Sequence, residues 1–365
     1  MRLTEIRLRS FRNYEALEYR PSPGINILSG ANASGKTNLL EAIHMTALLR
    51  SHRTARDAEL IRTGSDFAGV DCTLDTRSGT RTLAVRIARG APRRVLLDGG
   101  RIRRSGEVMG VMGVVLFAPE HLQLVKEGPT ERRRFMDMAL SQQYPSYYYL
   151  LQRYNAAMAQ RGALLRSEDP VPVESYLPWE QQMAEAGAAL MACRSRFAEE
   201  TDVAASRIHA GITDGRERLS IGYLPSPACA PEDAKERLLA AYASGRARDQ
   251  ALGRTLTGPH RDDLRISIGD QDARAFGSQG QQRTAVLAMK LAELEGLTRV
   301  RGESPILLLD DVFSELDETR RRLLVRYCDG IQTFITCTGS DPALFFGDRD
   351  VRLVTIDNGS LTVVS

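Results

Sequence analysis

Residues 30–37 read Gly30-Ala31-Asn32-Ala33-Ser34-Gly35-Lys36-Thr37, with the spacing G-x-x-x-x-G-K-T. Glycines at this spacing let backbone N–H groups turn inward around phosphate oxygens. Lys36 brings a cation to the β- and γ-phosphates of a nucleotide, and the Thr37 hydroxyl is suited to ligate Mg²⁺. Much later, Ile306-Leu307-Leu308-Leu309-Asp310-Asp311 is an apolar run that ends in two acids. As a buried strand it would deliver Asp310 to the metal shell opposite Thr37. Asp311 would then orient or deprotonate the attacking water. Taken alone, the same acids could simply cap the turn that follows a strand. A third stretch, Ser278-Gln279-Gly280-Gln281-Gln282-Arg283, precedes an apolar helical pattern through Ala285, Leu287, Ala288, Leu291 and Leu294. Ser278 and Gly280 at a helix N-terminus make a second phosphate cradle; a serine N-cap beside a flexible turn is the other reading.

These groups need elements to hold them. Ile25-Asn26-Ile27-Leu28 reads as a short strand that feeds the glycine loop, and Leu39, Leu40, Ile43 and Ala47 give a helix after it. Residues 70–74, 83–87 and 95–97 read as strands, with a hairpin at Asp98-Gly99. Further strands are expected at 114–117, 264–268, 306–309, 333–336 and 351–364, the last bent at Asp357-Asn358-Gly359. Between these β-rich parts the texture becomes helical. Tyr147, Leu151, Tyr154, Met158, Arg161 and Leu165 are spaced 4-3-4-3-4, and Trp179, Met183, Ala186, Leu190, Cys193 and Phe197 repeat that spacing. Residues 167–172, with two prolines, form the link. The pattern predicts an antiparallel helical hairpin or, alternatively, ordinary helix packing in a bundle.

The bulk properties narrow the partners. A net charge of +3 on 365 residues names none, but residues 45–104 hold 13 Arg and no Lys against 6 acids. Such a basic lobe points to a polyanion-facing surface, or to a solvated arginine-rich face with no partner. Five scattered cysteines without a C-x-x-C, and five histidines without an H-E-x-x-H, argue against a disulfide framework or zinc site. The opening residues lack an apolar signal core, and the longest uncharged apolar stretch, 108–119, is too short to span a bilayer. A soluble, cytoplasmic protein without a membrane partner is expected.

The order of glycine loop, helical insertion, Ser278 stretch and double acid resembles ABC-type ATPases, in which the second cradle comes from a partner subunit. Ser314-Glu315-Leu316-Asp317 resembles their D-loop. Leu8-Arg9-Ser10-Phe11-Arg12-Asn13-Tyr14 looks like the start of SMC-type heads. Residues 49–54 (LRSHRT), 128–137 (GPTERRRFMD) and 258–264 (GPHRDDL) resemble the RecF family. The resemblance implies an α/β fold: an ABC-type P-loop ATPase head with an inserted α-helical arm, a short antiparallel helical hairpin. The divisions are 1–125 and 251–365 for the head and 126–250 for the arm. It implies ATP and Mg²⁺ as cofactors, with Gly30, Ala31, Asn32, Ala33, Ser34, Gly35, Lys36, Thr37 and the adjoining Asn38 at the nucleotide, and Arg12 and Asn13 near it. Thr37 and Asp310 would hold the metal, and Lys36, Asp311, Ser278 and Gly280 would serve hydrolysis. Arg50, Arg53 and Arg56 would face DNA. RecF proteins form homodimers with ATP, hydrolyse it slowly, bind DNA, and act with RecR and RecO to place RecA on gapped DNA.

Three departures from general ABC ATPases stand out. The second acid is Asp311 rather than Glu, Thr336-Cys337-Thr338 stands where a switch histidine is usual, and Pro119-Glu120 replaces a clear Q-loop glutamine, with Gln123 nearby. All three fit a slow switch better than a motor. Two rival readings remain at this stage: an ABC-type ATPase serving a nuclease or a transporter, and a scaffold that binds ATP without hydrolysing it.

Overall fold

The strand Ile25–Ser29 is apolar apart from Asn26 and Ser29, and its first four residues are buried. Continuous burial of this kind belongs to the interior of a parallel sheet covered on both faces. The computed structural model describes residues 1–338, 346–347 and 349–364, with no side-chain description at Glu315. In it, Ile25–Ser29 lies near the centre of a six-stranded sheet in the order Ser360–Val363, Val351–Asp357, Ile25–Ser29, Thr333–Cys337, Ile306–Leu309, Val114–Phe117. All neighbours are parallel except Ser360–Val363, which turns back antiparallel at Asn358-Gly359. Leu28 pairs with Thr336, and Leu309 with Ile335 and Phe117. The carboxyl ends of three adjacent strands therefore open on residues 30, 310 and 338, and such strand ends are where open α/β sheets bind ligands.

A second sheet is antiparallel, in the order Tyr14–Tyr19, Arg2–Phe11, Phe67–Thr76, Gly79–Ala88, Arg94–Leu97, Gly100–Arg101. Its strands alternate as a half-buried sheet should: Leu83, Val85 and Ile87 are buried, while Ala84 and Arg86 are partly exposed. Asp98 and Gly99 both have positive φ, 50° and 80°, as a two-residue hairpin turn of this hand requires. The helix Lys36–Leu48 packs on this sheet and on strands of the parallel one.

By contact density the chain divides into two units, residues 1–121 with 290–365, and residues 122–289. The sequence texture set its divisions at 125/126 and 250/251; that three-part division stands as a proposal. The second unit is helical, with Pro129–Gln143, Pro145–Leu165, Leu177–Thr213 and Ala234–Ala251, and it carries a small antiparallel sheet of Leu219–Leu224, Asp263–Ile268 and Gln271–Asp272. Pro145–Leu165 and Leu177–Thr213 run antiparallel: Tyr147 meets Arg194, Arg153 meets Glu185 and Arg161 meets Glu180. Tyr147, Tyr154, Arg161 and Leu165 are buried on one helix, and Met183, Ala186, Leu190 and Phe197 on the other. Ala234–Ala251 packs against the longer helix as well, so the hairpin sits within a bundle.

Two buried residues of the hairpin are not apolar, Arg161 within the first stripe and Arg194 next to Cys193 of the second. Arg161 is fully buried, bound to Glu180 at 3.1 Å and Asp249 at 2.7 Å. Arg194 binds Asp137 and Asp262, each at 2.8 Å. A buried guanidinium is tolerated only when paired in this way. The segments 128–137 and 258–264 meet in the same network. Arg132 makes a two-pronged pair with Asp263 at 2.6 and 2.9 Å, and Arg133 donates to the Asp262 carbonyl. Among the described residues, no helix is long and apolar enough to cross a membrane.

Candidate nucleotide site

The glycine loop leaves the strand Ile25–Ser29 at Gly30, which has φ 151°; a Cβ there would meet the Ile356 carbonyl oxygen at 2.2 Å. It enters the helix Lys36–Leu48 at Gly35, φ 123°, where a Cβ would lie 2.8 Å from Asn13 Nδ2. Both ends of the loop therefore require glycine. The helix has no side-chain N-cap, so its first N–H groups face outward without a partner of that kind, as an anion cradle needs. Ser34 Oγ is buried and has no hydrogen-bond partner, which fits a loop built to receive a polar ligand.

A cleft of about 360 Å³ lies over this loop, lined by residues that include Asn32, Lys36, Thr37, Asn38, Arg53 and Asp311. Lys36 Nζ donates to the carbonyls of Gly30 and Ala31, both at 2.7 Å. Burial lowers its pKa, against the nearby charges of Asp310 and Asp311. Thr37 Oγ1 donates to Asp310 Oδ1 at 2.9 Å, and Thr336 Oγ1 donates to the same oxygen at 2.7 Å. The Asp311 N–H in turn donates to Thr336 Oγ1 at 2.8 Å. Asp311 has left-handed backbone, φ 51°, and its carboxylate accepts from Ser314 Oγ at 3.1 Å. A hydroxyl and a carboxylate side by side are the hard oxygen donors that Mg²⁺ takes alongside phosphate and water, so Thr37 and Asp310 fit that ion.

Asn13 holds the back of the loop: its Nδ2 donates to the Ser34 carbonyl at 2.8 Å, and its Oδ1 accepts from Asn38 Nδ2 at 2.8 Å. Arg53 Nη1 donates to Asn38 Oδ1 at 2.9 Å. Arg12 does not line the cleft; its guanidinium is held by Glu41 at 2.7 and 2.8 Å and by the Glu59 carbonyl. Of the three arginines expected to face DNA, Arg53 thus lines the nucleotide cleft. Arg50 is exposed, and Arg56 is exposed beside Glu59 at 3.8 Å. Thr336 belongs to no motif, and its role arises from the pairing of Thr333–Cys337 with Ile306–Leu309, which local sequence does not reveal.

In the other unit, Ser278 lies exposed just before the helix Gln279–Arg301. Its N–H donates to Gln281 Oε1 at 2.8 Å, and its Oγ accepts from the Gln281 N–H at 3.2 Å. This reciprocal capping box realises the N-cap reading, and its exposure leaves the helix end open to a ligand from outside. Asp317 of the D-loop stretch caps the helix Glu318–Tyr327 through the Arg320 N–H at 2.9 Å.

A glycine loop between strand and helix, with an acid-tipped strand next but one in the same sheet and a helical insertion before an exposed serine-capped helix, defines an ATPase head of the ABC/SMC class. The family described as RecF/RecN/SMC N terminal domain matches residues 2–359. The DNA replication and repair protein RecF of Clostridium acetobutylicum is 37% identical over 361 residues, 99% of each chain. A solved structure of the recombination mediator protein RecF with ATP is 31% identical, covers 100% of this chain and 97% of that one, and superposes with a TM-score of 0.92. The Smc head domain from Pyrococcus furiosus, at 18% identity and a TM-score of 0.56 over 99% of this chain and 95% of that one, shares the fold. The chain belongs to the RecF family.

Proposed function

We propose that this protein is an ATP-operated DNA-binding protein of recombinational repair, working in the cytoplasm as a slow, DNA-dependent ATPase. The observation that carries the reading is the cluster of Lys36, Thr37, Asp310 and Thr336 around a loop whose buried Ser34 hydroxyl has no partner. ATP binds with its phosphates in the loop of residues 30–37. Thr37 and Asp310 would hold Mg²⁺, which supplies charge neutralisation on the phosphates. Asp311 orients the attacking water and takes its proton as the water oxygen bonds to the γ-phosphorus and ADP leaves. Asp is one methylene shorter than Glu, which fits slow turnover.

Ser278 and Gly280 of the partner subunit close over the γ-phosphate, so ATP joins two copies into a homodimer and hydrolysis reopens it. The relatives' names and the RecFOR pathway given for the solved RecF structure support a repair role with RecO and RecR, and through them the loading of RecA on gapped DNA. The arginine-rich lobe supports DNA as the polyanion. Of its 13 Arg, six pair with carboxylates in the structure, while Arg50, Arg94, Arg101 and Arg103 are exposed with no ion-pair partner among the described residues. ATP turnover by the purified protein with and without gapped DNA, beside DNA binding with ATP, ADP or no nucleotide, tests the reading. Turnover that rises with DNA, and binding that needs ATP, are expected. DNA binding indifferent to nucleotide would overturn the switch, and absence of turnover would leave an ATP-dependent scaffold.

A further inference from the structure

Glu41 takes no part in the chemistry proposed above, yet it is a carboxylate with no exposed surface, on the helix that starts at Lys36. Burying a carboxylate is costly unless charge and hydrogen bonds hold it. Glu41 has both. Arg12 grips it with two hydrogen bonds, at 2.7 and 2.8 Å, and Arg53 Nη1 lies 3.7 Å from its Oε2. Ser51 Oγ donates to Oε1 at 2.5 Å. Burial would raise the carboxyl's pKa, but Arg12, Ser51 and the charge of Arg53 hold it below its ordinary value.

Ser51 passes this restraint on. The same hydroxyl oxygen accepts the backbone N–H groups of Arg53, at 3.0 Å, and Thr54, at 3.1 Å. The turn that carries Arg53 is thus tied through one serine to Glu41, and the Arg53 guanidinium is tied to Glu41 directly. The guanidinium also donates a hydrogen bond to Asn38 Oδ1, where it lines the nucleotide cleft. A long side chain at 40% exposure keeps its rotamer freedom unless its end is held, and holding it before a ligand arrives removes that entropy loss from the binding step.

We infer that Glu41 is a positioning residue: without touching nucleotide, it holds Arg53 at the cleft and so sets the affinity for the triphosphate. The inference rests on the reading of the cleft as the ATP site. A guanidinium held at that place meets phosphate oxygens with two donors. Arg50 and Arg56 ride on the same segment, so a ligand that pulls on it acts on the nucleotide through Glu41.

The test is a double-mutant cycle on the affinity for a fluorescent ATP analogue, using Glu41→Gln, Arg53→Ala and the double variant. Glutamine keeps an acceptor for Ser51 but cannot hold two guanidinium groups. Arg53→Ala should weaken binding about tenfold, the scale of one charge-assisted contact. Glu41→Gln should weaken it several-fold in the wild-type background and by less than about twofold in the Arg53→Ala background. A residue that only stabilises the fold would lower the melting temperature and act equally in both backgrounds, which would overturn the inference. So would unchanged affinity in Glu41→Gln. Should Glu41→Gln fail to fold, Ser51→Ala cuts the same link while leaving the Arg12 pair intact, and must show the same dependence on Arg53. Lys36→Met separates the two levels: if it still binds the analogue, the ATP site itself is wrong, whereas if it does not and the cycle is additive, only the role of Glu41 fails.

Discussion

Asp310 and Asp311 are adjacent in the chain and differ in everything else. Asp310 is buried and accepts from two hydroxyls, Thr37 and Thr336, while Asp311 is half-exposed, in left-handed backbone, with Ser314 against its carboxylate. On the proposed mechanism, Asp311→Asn keeps ATP binding and dimer closure, lowers turnover by at least about tenfold, as expected for loss of a general base, and lengthens residence on DNA. Asp310→Asn should instead weaken the handling of Mg²⁺-ATP. Turnover and DNA dissociation after ATP addition, for wild type and both variants, check this; normal turnover in Asp311→Asn would remove it from the role. At this scale the sequence shows what is contiguous. Residues 30–37 and the pair 310–311 could be read directly. Thr336 and the Glu41 hub could not, because Thr336 stands 26 residues from Asp310 and Arg12 stands 29 from Glu41, and only the strand order and loop path bring them together.

Periodicity made the elements legible where each buries one face. The stripes at Tyr147, Tyr154 and Leu165 and at Met183, Leu190 and Phe197 turn inward as a 3.5-residue spacing requires. It could not give the partners: Arg161 turns inward with its stripe and Arg194 turns inward beside the other, and their carboxylate partners come from distant segments. His260 belongs to the same unit. Its Nδ1 lies 2.7 Å from Tyr154 Oη and its Nε2 2.9 Å from the Thr255 carbonyl, an arrangement that satisfies a neutral ring on both nitrogens. Burial pushes its pKa down to about 4. The folded value lies below the unfolded one, near 6.5, so the unfolded chain takes up the proton first as pH falls, and stability drops between those two values. The expected loss is about 2 kcal/mol between pH 7.5 and pH 5. Urea unfolding at the two pH values should show a smaller loss in His260→Gln, whereas identical pH dependence would mean other groups dominate.

For the whole molecule, the questions are what the arginines meet and what ATP joins. Phosphate contacts release counterions, so DNA affinity should fall steeply with salt, and replacing Arg50 and Arg56 with Ala should shallow that slope by about one to two contacts. Arg53 is left out because it lines the nucleotide cleft. An unchanged slope would assign those two arginines to another partner. The central claim is that the exposed Ser278 end of one copy completes the nucleotide site of another. Sedimentation velocity with and without ATP tests it most directly, on wild type, Ser278→Arg, Lys36→Met and an equimolar mixture of the two variants. Ser278→Arg should bind ATP yet remain monomeric, Lys36→Met should bind none and remain monomeric, and the mixture, which can assemble one intact composite site, should form dimers with ATP. Dimers of Ser278→Arg alone, with the ATP dependence of wild type, would contradict the claim.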